Sequence, residues 1–330
     1  MAEGMWAAIY PWAVHGMEAN VCQLIISENI AKPSMYIKPS HGVNFVQNDN
    51  ILEIRGNDFY YEFDLRLGTF TKISRHGTDF ITQPVTFDIW RAPTDNDRNV
   101  KHAWRNWGLN RAGVHIYESC LNNNTITTRF MMGSHTEAPI LKGEAVWSVD
   151  HHGRISLKSH INVNERPAMG NKSQLMLPRF GLKFVMPKGM EQVDYFGYGP
   201  HENYTDMRLS VYKTLHSTCV NDIFENYAMP QENGARYSTD YAFVGDERAR
   251  GLLFEAVDKP FSFNAMHYTS HDLDKAQHPH ELTKLDETIV NIDYKNNAIG
   301  SNSCGPELYK PHRFDEREFT FNISFVPVLM

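Results

Sequence analysis

Three polar stretches of this sequence hold residues whose types could do chemistry. The densest is Trp90-Arg91-Ala92-Pro93-Thr94-Asp95-Asn96-Asp97-Arg98-Asn99, which follows a strand-like run through Phe87 and Ile89. Carboxylates, amides and a guanidinium suit a site for sugar hydroxyls, because each hydroxyl both donates and accepts a hydrogen bond and a neighbouring indole offers an apolar face. The same residues suit an Asx-turn loop held by its own side chains, and that structural reading carries more weight. The second stretch, Phe196-Gly197-Tyr198-Gly199-Pro200-His201-Glu202-Asn203-Tyr204-Thr205-Asp206, turns sharply at its glycines and proline. It is not a dinucleotide fingerprint, since Glu202 stands where the last glycine would be. Glu202 and Asp206 could form a glycosidase pair, which needs carboxyls about 5 Å or more apart. Carboxylates in aromatic-rich turns are more often partners of arginine or backbone N–H groups, and the structural reading leads again.

The third stretch, Met229-Pro230-Gln231-Glu232-Asn233-Gly234-Ala235-Arg236, mixes a carboxylate, amides and a turn-forming Asn-Gly ahead of a strand expected over 237–244. Its polar groups could line a groove, but mutual pairing is favoured. His267, His271, His278 and His280 crowd one segment, and His267 and His271 would share a helix face if a helix began early enough. The pattern H-E-x-x-H is absent and Pro279 would distort a common geometry, so no metal is assigned. Trp104 and Trp107 read as packing for a short helix.

The elements that must position these groups have a period of two. Phe59, Tyr61, Phe63, Leu65 and Leu67 alternate with polar neighbours, and so do Ile155, Leu157, Ile161 and Val163, then Val290, Ile292 and Tyr294, then Phe319, Phe321, Ile323 and Phe325. These are half-buried antiparallel strands, punctuated by turns such as Leu67-Gly68-Thr69 and Asp150-His151-His152-Gly153. Helix is expected only over 98–107 and over 269–277, where Thr269 or Ser270 caps the first turn and Pro279 ends it. Cys22, Leu24 and Ile26 read as a lone strand before a linker with Pro33 and Pro39, so 1–33 is expected to be the last piece of a preceding domain. That orphan strand argues for a chain cut from a longer one.

The 330 residues are 42% hydrophobic and 22% charged, as in an ordinary globular protein. A formal net charge of −7 opposes nucleic-acid binding, which needs a clustered basic surface. Four scattered cysteines form no Cys-x-x-Cys pair and point to a reducing compartment. With no leader pattern and no long apolar run, the expectation is a cytoplasmic protein without a membrane partner.

In order along the chain, six landmarks resemble the carboxy-terminal portion of family 2 β-galactosidases. They are Trp90-Arg91-Ala92-Pro93-Thr94-Asp95-Asn96-Asp97, Gly197-Tyr198-Gly199-Pro200-His201-Glu202-Asn203-Tyr204, Pro230-Gln231-Glu232-Asn233-Gly234, Phe261-Ser262-Phe263-Asn264-Ala265, Asn291-Ile292-Asp293 and Gly300-Ser301-Asn302-Ser303-Cys304-Gly305-Pro306. The resemblance implies an all-β fold over 34–330, a large antiparallel super-sandwich similar to galactose mutarotase, preceded over 1–33 by the closing strand of an immunoglobulin-like domain. It implies that the catalytic glutamates and the magnesium and sodium ligands lie in a barrel and its neighbours elsewhere in the parent, so this chain alone holds no catalytic residue and no cofactor.

What the resemblance leaves to this chain is the rim of the galactoside site. The residues concerned are Asp95, Asn96 and Asp97, in a loop running to Lys101, and Asn302, Ser303 and Cys304 in the last motif. Many members carry tryptophan where this sequence has Cys304, and a thiol is a smaller, softer surface than an indole. A second departure is Asn203-Tyr204-Thr205-Asp206-Met207-Arg208, where the family reads Asn-Tyr-x-Asp-Arg. The implied partners are the remaining domains or large subunit of an oligomeric β-galactosidase and a galactoside such as lactose. Two alternatives are a free-standing aldose 1-epimerase, pairing His201 or His267 with Glu202 or Glu232, and a carbohydrate-binding module.

Overall fold

A computed structural model of the chain describes residues 23–24, 42–165, 176–300 and 305–329. The expected remnant over 1–33, apart from Gln23 and Leu24, and the rim residues Asn302, Ser303 and Cys304 lie outside the described residues.

The described strands form three antiparallel sheets. Strands Asn44–Asn48, Ile51–Arg55, Phe59–Asp64, Thr69–Arg75 and Thr78–Asp79 make a meander in chain order. Nine strands form the broad sheet, with Tyr212–Cys219 at one edge and Gly113–Asn122 at the other, and Arg250–Ala256 and Ile155–Val163 flanking the long strand Glu318–Leu329 in its middle. A smaller sheet runs Arg236–Thr239, Phe261–Met266, Thr288–Asn296, Arg179–Met186, Thr86–Asp88.

Side-chain alternation brings the sheets together as a sandwich. Phe63 and Phe70 of the meander meet Trp147 of the broad sheet edge-on, with ring centroids 6.3 and 5.5 Å apart. From the smaller sheet, Phe87 stacks on Phe130 at 4.5 Å, and Phe184 meets Phe254 and Phe325 at 5.0 Å. All of these rings belong to one continuous core. Each buried ring contributes roughly 1.5–3 kcal/mol by leaving water, so this face is the main source of stability. The antiparallel all-β body expected from the period-two pattern, and the large sandwich that the resemblance implies, are the fold that forms.

Three local expectations change. The alternation through Leu65 and Leu67 stops at Asp64, whose Oδ1 accepts from the Arg66 and Leu67 N–H groups at 2.7 and 3.3 Å. This Asx turn, completed by Gly68 at φ +63°, leaves Leu67 exposed. The strand expected over 237–244 is two strands in different sheets, Arg236–Thr239 in the smaller and Tyr241–Gly245 in the broad one. Ser238 at φ +54° and an irregular register break the run, and the chain crosses between sheets there. The helices are shorter than expected: Val100–Asn106, ended by Gly108 at φ +71°, and Ser270–Lys275. Thr269 caps the second by accepting from the Asp272 N–H at 3.1 Å. Among the described residues no helix is long and apolar enough to cross a membrane.

Candidate functional site

The smaller sheet is unusual in being buried on both faces. Phe180, Leu182, Phe184, Phe263, Ala265, Val290 and Ile292 face the core, so alternation turns Arg179, Gly181, Ser262, Asn264, Asn291 and Asp293 to the other side. Of these, Arg179, Ser262, Asn264, Asn291 and Asp293 are all buried. A sheet face covered by protein must find partners for its polar groups internally, and the polar motifs supply most of them, leaving Asn291 Oδ1 among the few buried atoms without one.

Arg179 is wholly buried between two carboxylates. Its Nη2 donates to Asp293 Oδ2 at 2.8 Å and its Nε to Asp293 Oδ1 at 3.2 Å, while Nη1 lies 3.5 Å from Glu232 Oε1. Gly181 makes this possible: a Cβ there would fall 2.2 Å from the Ile292 carbonyl oxygen and 2.5 Å from Asp293 Oδ1. Asn264 continues the network, donating to Glu232 Oε1 at 2.9 Å and accepting from Asn291 Nδ2 at 2.9 Å. Glu232 Oε2 is buried with no hydrogen-bond partner. Burial pushes the Glu232 carboxyl up to about 7 and the Asp293 carboxyl up to about 6, against the opposing pull of Arg179. Desolvation therefore outweighs the ion pair for both acids, a result that buried arginine–carboxylate clusters commonly give.

The first motif is held by a second buried arginine. Arg91 Nη2 donates to both carboxylate oxygens of Asp97 at 2.9 Å, and Nη1 donates to Asn296 Oδ1 at 2.9 Å and to the Asn297 carbonyl. Asp97 Oδ2 also accepts from the Thr94 N–H at 2.9 Å and hydroxyl at 3.1 Å, closing a 3-10 turn over Asp95–Asp97. Arg91 also lies over the Trp104 ring, 5.5 Å from its centroid, so the short helix is tied to the same anchor. Trp104 is buried against Trp90, as packing of a short helix requires.

The motifs then bind one another. The Asp95 N–H donates to Gln231 Oε1 at 3.1 Å, and Gln231 Nε2 lies 3.5 Å from Asp95 Oδ2. Asn96 Nδ2 donates to the Ile299 carbonyl. Glu202 accepts from the Tyr227 hydroxyl and, at 2.9 Å, from the Gly234 N–H. Asp206 accepts from the Ile299 and Gly300 N–H groups at 3.3 and 2.6 Å. Glu202 and Asp206 are thus structural staples joining three loops, in line with the reading that leads for them. Burial raises the Glu202 carboxyl above its ordinary value.

Of the rim residues that lie within the described part, Asp97 is buried with both oxygens engaged, Asn96 is half-buried, and Asp95 is exposed. Asp95 and Asn96 therefore sit at the outer margin of the network, and Asp97 shapes the turn that carries them. His267 precedes the helix instead of sharing a face of it with His271. Its Nδ1 contacts the Glu287 carbonyl oxygen at 2.9 Å, and its Nε2 lies 3.7 Å from Glu191 Oε1. Neither His201 nor His267 bonds to Glu202 or Glu232 among the described residues. Arg179 belongs to no motif read from the sequence. Its one signal is a cation at the head of the apolar strand Arg179–Met186.

Comparison with known proteins places these loops in a family. A family profile described as "Beta galactosidase small chain" matches residues 55–325. The chain is 33% identical over 320 residues to a β-galactosidase of Actinobacillus pleuropneumoniae, covering 95% of this chain and 30% of that protein. It is also 33% identical over 287 residues to a β-galactosidase of Staphylococcus xylosus, covering 85% and 28%. The chain thus spans less than a third of the length of these relatives. Among solved structures, a galactose 1-epimerase from Lactobacillus acidophilus aligns with a TM-score of 0.43 at 9% identity, covering 87% of this chain and 99% of that one. A GalM/aldose epimerase homologue from C. elegans aligns with a TM-score of 0.42 at 7% identity, covering 88% and 100%. With the family profile spanning the last three strands of the meander, nearly all of the other two sheets and all six motifs, this chain belongs to the β-galactosidase small-chain family.

Proposed function

We propose that this chain is the non-catalytic carboxy-terminal module of a β-galactosidase, forming 34–330 of a super-sandwich that walls in one side of a galactoside site. The groups that break the glycosidic bond lie on the remaining part of the parent, together with any metal ions it uses. The observation that carries this reading is the fate of the motif acids: Glu202, Asp206, Glu232, Asp293 and Asp97 are each engaged through at least one carboxylate oxygen by arginine, amide, hydroxyl or backbone N–H groups, and the remaining oxygen of Glu232 is sealed from solvent. A glycosidase needs one carboxyl free to protonate and one free to attack or to activate water. Asp95 and Asn96, at the margin of the network, are the groups of this loop placed to meet a sugar hydroxyl, and Asn302, Ser303 and Cys304 would complete the rim.

The test is reassembly. The purified chain is mixed with the amino-terminal remainder of a relative such as the Actinobacillus enzyme, and hydrolysis of a chromogenic β-galactoside is followed. Activity is expected only in the mixture, with Asp95→Ala and Asn96→Ala raising KM more than they lower kcat. No gain on mixing, with both parts shown folded, overturns the proposal.

A further inference from the structure

The segment that follows helix Ser270–Lys275 carries a cluster of metal-ligating side chains, His278, His280 and Glu281. His278 and His280 flank Pro279, and the sequence alone suggests that the proline would spoil any shared geometry. The structure gives the opposite result: Pro279 opens a 3-10 turn, Pro279–Glu281, and the imidazole rings stack with centroids 5.4 Å apart and planes 20° from parallel. Glu281 closes the group, its Oε1 lying 2.9 Å from His278 Nδ1. One ligand atom from each of the three side chains falls within 4.8 Å of the others, and all three residues are exposed.

The turn holds the group in place. The Gln277 N–H donates to Glu281 Oε2 at 3.0 Å, which fixes the carboxylate and leaves Oε1 towards His278. The Glu281 and Leu282 N–H groups close the turn onto the His278 and Pro279 carbonyls at 3.0 and 3.1 Å. A ligand carboxylate oriented by a backbone donor is the outer support that built metal sites use. No other group of three or more such side chains meets the same spacing among the described residues.

We propose that His278, His280 and Glu281 form a surface site for a divalent transition-metal ion of the zinc class, with one coordination position left open. Two imidazoles and a carboxylate are the ligand types that zinc accepts, and catalytic or docking zinc sites keep three protein ligands and an open fourth position. Ligand atoms held at about 2.0 Å on a tetrahedral ion lie roughly 3.3 Å apart, so these exposed side chains need to close by at most about 1.5 Å. The hard cations magnesium and calcium prefer all-oxygen shells and fit this set poorly. The open position suits a donor atom from water or from another polypeptide.

Titration calorimetry of the intact chain, freed of metal by chelation, tests the assignment with Zn²⁺ at about pH 7.5, where an ordinary imidazole is mostly neutral. Saturable binding is expected, weakened at least about tenfold by His278→Ala and by His280→Ala, since loss of a ligand costs no less than loss of an outer-shell partner. Glu281→Gln should weaken it as well, and Mg²⁺ should not compete. Far-ultraviolet circular dichroism confirms that these surface variants stay folded. Absence of Zn²⁺ binding overturns the assignment, as does binding that persists at full strength in both histidine variants.

Discussion

Replacing Arg179 by methionine is expected to destabilise the chain by about 3–5 kcal/mol, the cost of leaving buried carboxylates without their cation. Arg179 is wholly buried and is the guanidinium shared by Asp293 and Glu232. The loss should depend strongly on pH, and the sign follows from the acids. Glu232 and Asp293 have folded values of about 7 and about 6, above their ordinary 4.5 and 3.8. Their protons are held more tightly in the folded state. In the parent chain their contribution is therefore fully present below the ordinary values, declines as pH rises through the folded ones, and is gone above about 7. At about 1.4 kcal/mol per unit this amounts to roughly 3 kcal/mol for each acid.

Removing the cation raises both values further, so acid should rescue Arg179→Met by neutralising what it leaves behind. Urea unfolding at about pH 5 and about pH 8 measures this, with the larger deficit expected at the higher pH. An equal deficit at both values would mean that Arg179 acts through packing alone.

Arg91→Met is expected to cost about 3 kcal/mol and, unlike Arg179→Met, to act on the rim. The substitution removes two charge-assisted bonds to Asp97 and two bonds to the end of strand Thr288–Asn296 and the residue beyond it. Asp97 keeps the Thr94 donors, so part of the turn survives. Thermal unfolding reports the stability loss. In a reassembled β-galactosidase, the freed turn should displace Asp95 and Asn96 and raise KM for the galactoside. Arg91→Lys keeps the charge but not the planar fork, and should fall between parent and methionine variant. A KM unchanged in both variants would separate this loop from substrate binding.

The sandwich was legible because alternation survives wherever one sheet face meets the core, as in Ile155–Val163 with Ile155, Leu157 and Ile161 inward. The polar half of the smaller sheet was not. Along Thr288–Asn296, the alternation of Val290 and Ile292 with Asn291 and Asp293 reads as a core face and a solvent face. Loops from distant parts of the chain bury the second face, and nothing local to the strand announces them. The motifs were visible as polar clusters, and self-pairing was the preferred reading of two of them. The pairing observed is largely between motifs, Gln231 with Asp95 and Glu202 with Gly234, because long-range packing decides which polar groups meet. Arg179 escaped notice since its strand carries a second cation, the half-buried Lys183, and nothing in the sequence separates the two.

Whether the chain cleaves glycosides by itself is read by assaying the purified chain alone with a chromogenic β-galactoside, beside its Glu202→Gln and Glu232→Gln variants. None of the three is expected to turn over the substrate faster than buffer. Turnover by the unaided chain that disappears on replacing one of these acids would contradict the proposed non-catalytic role.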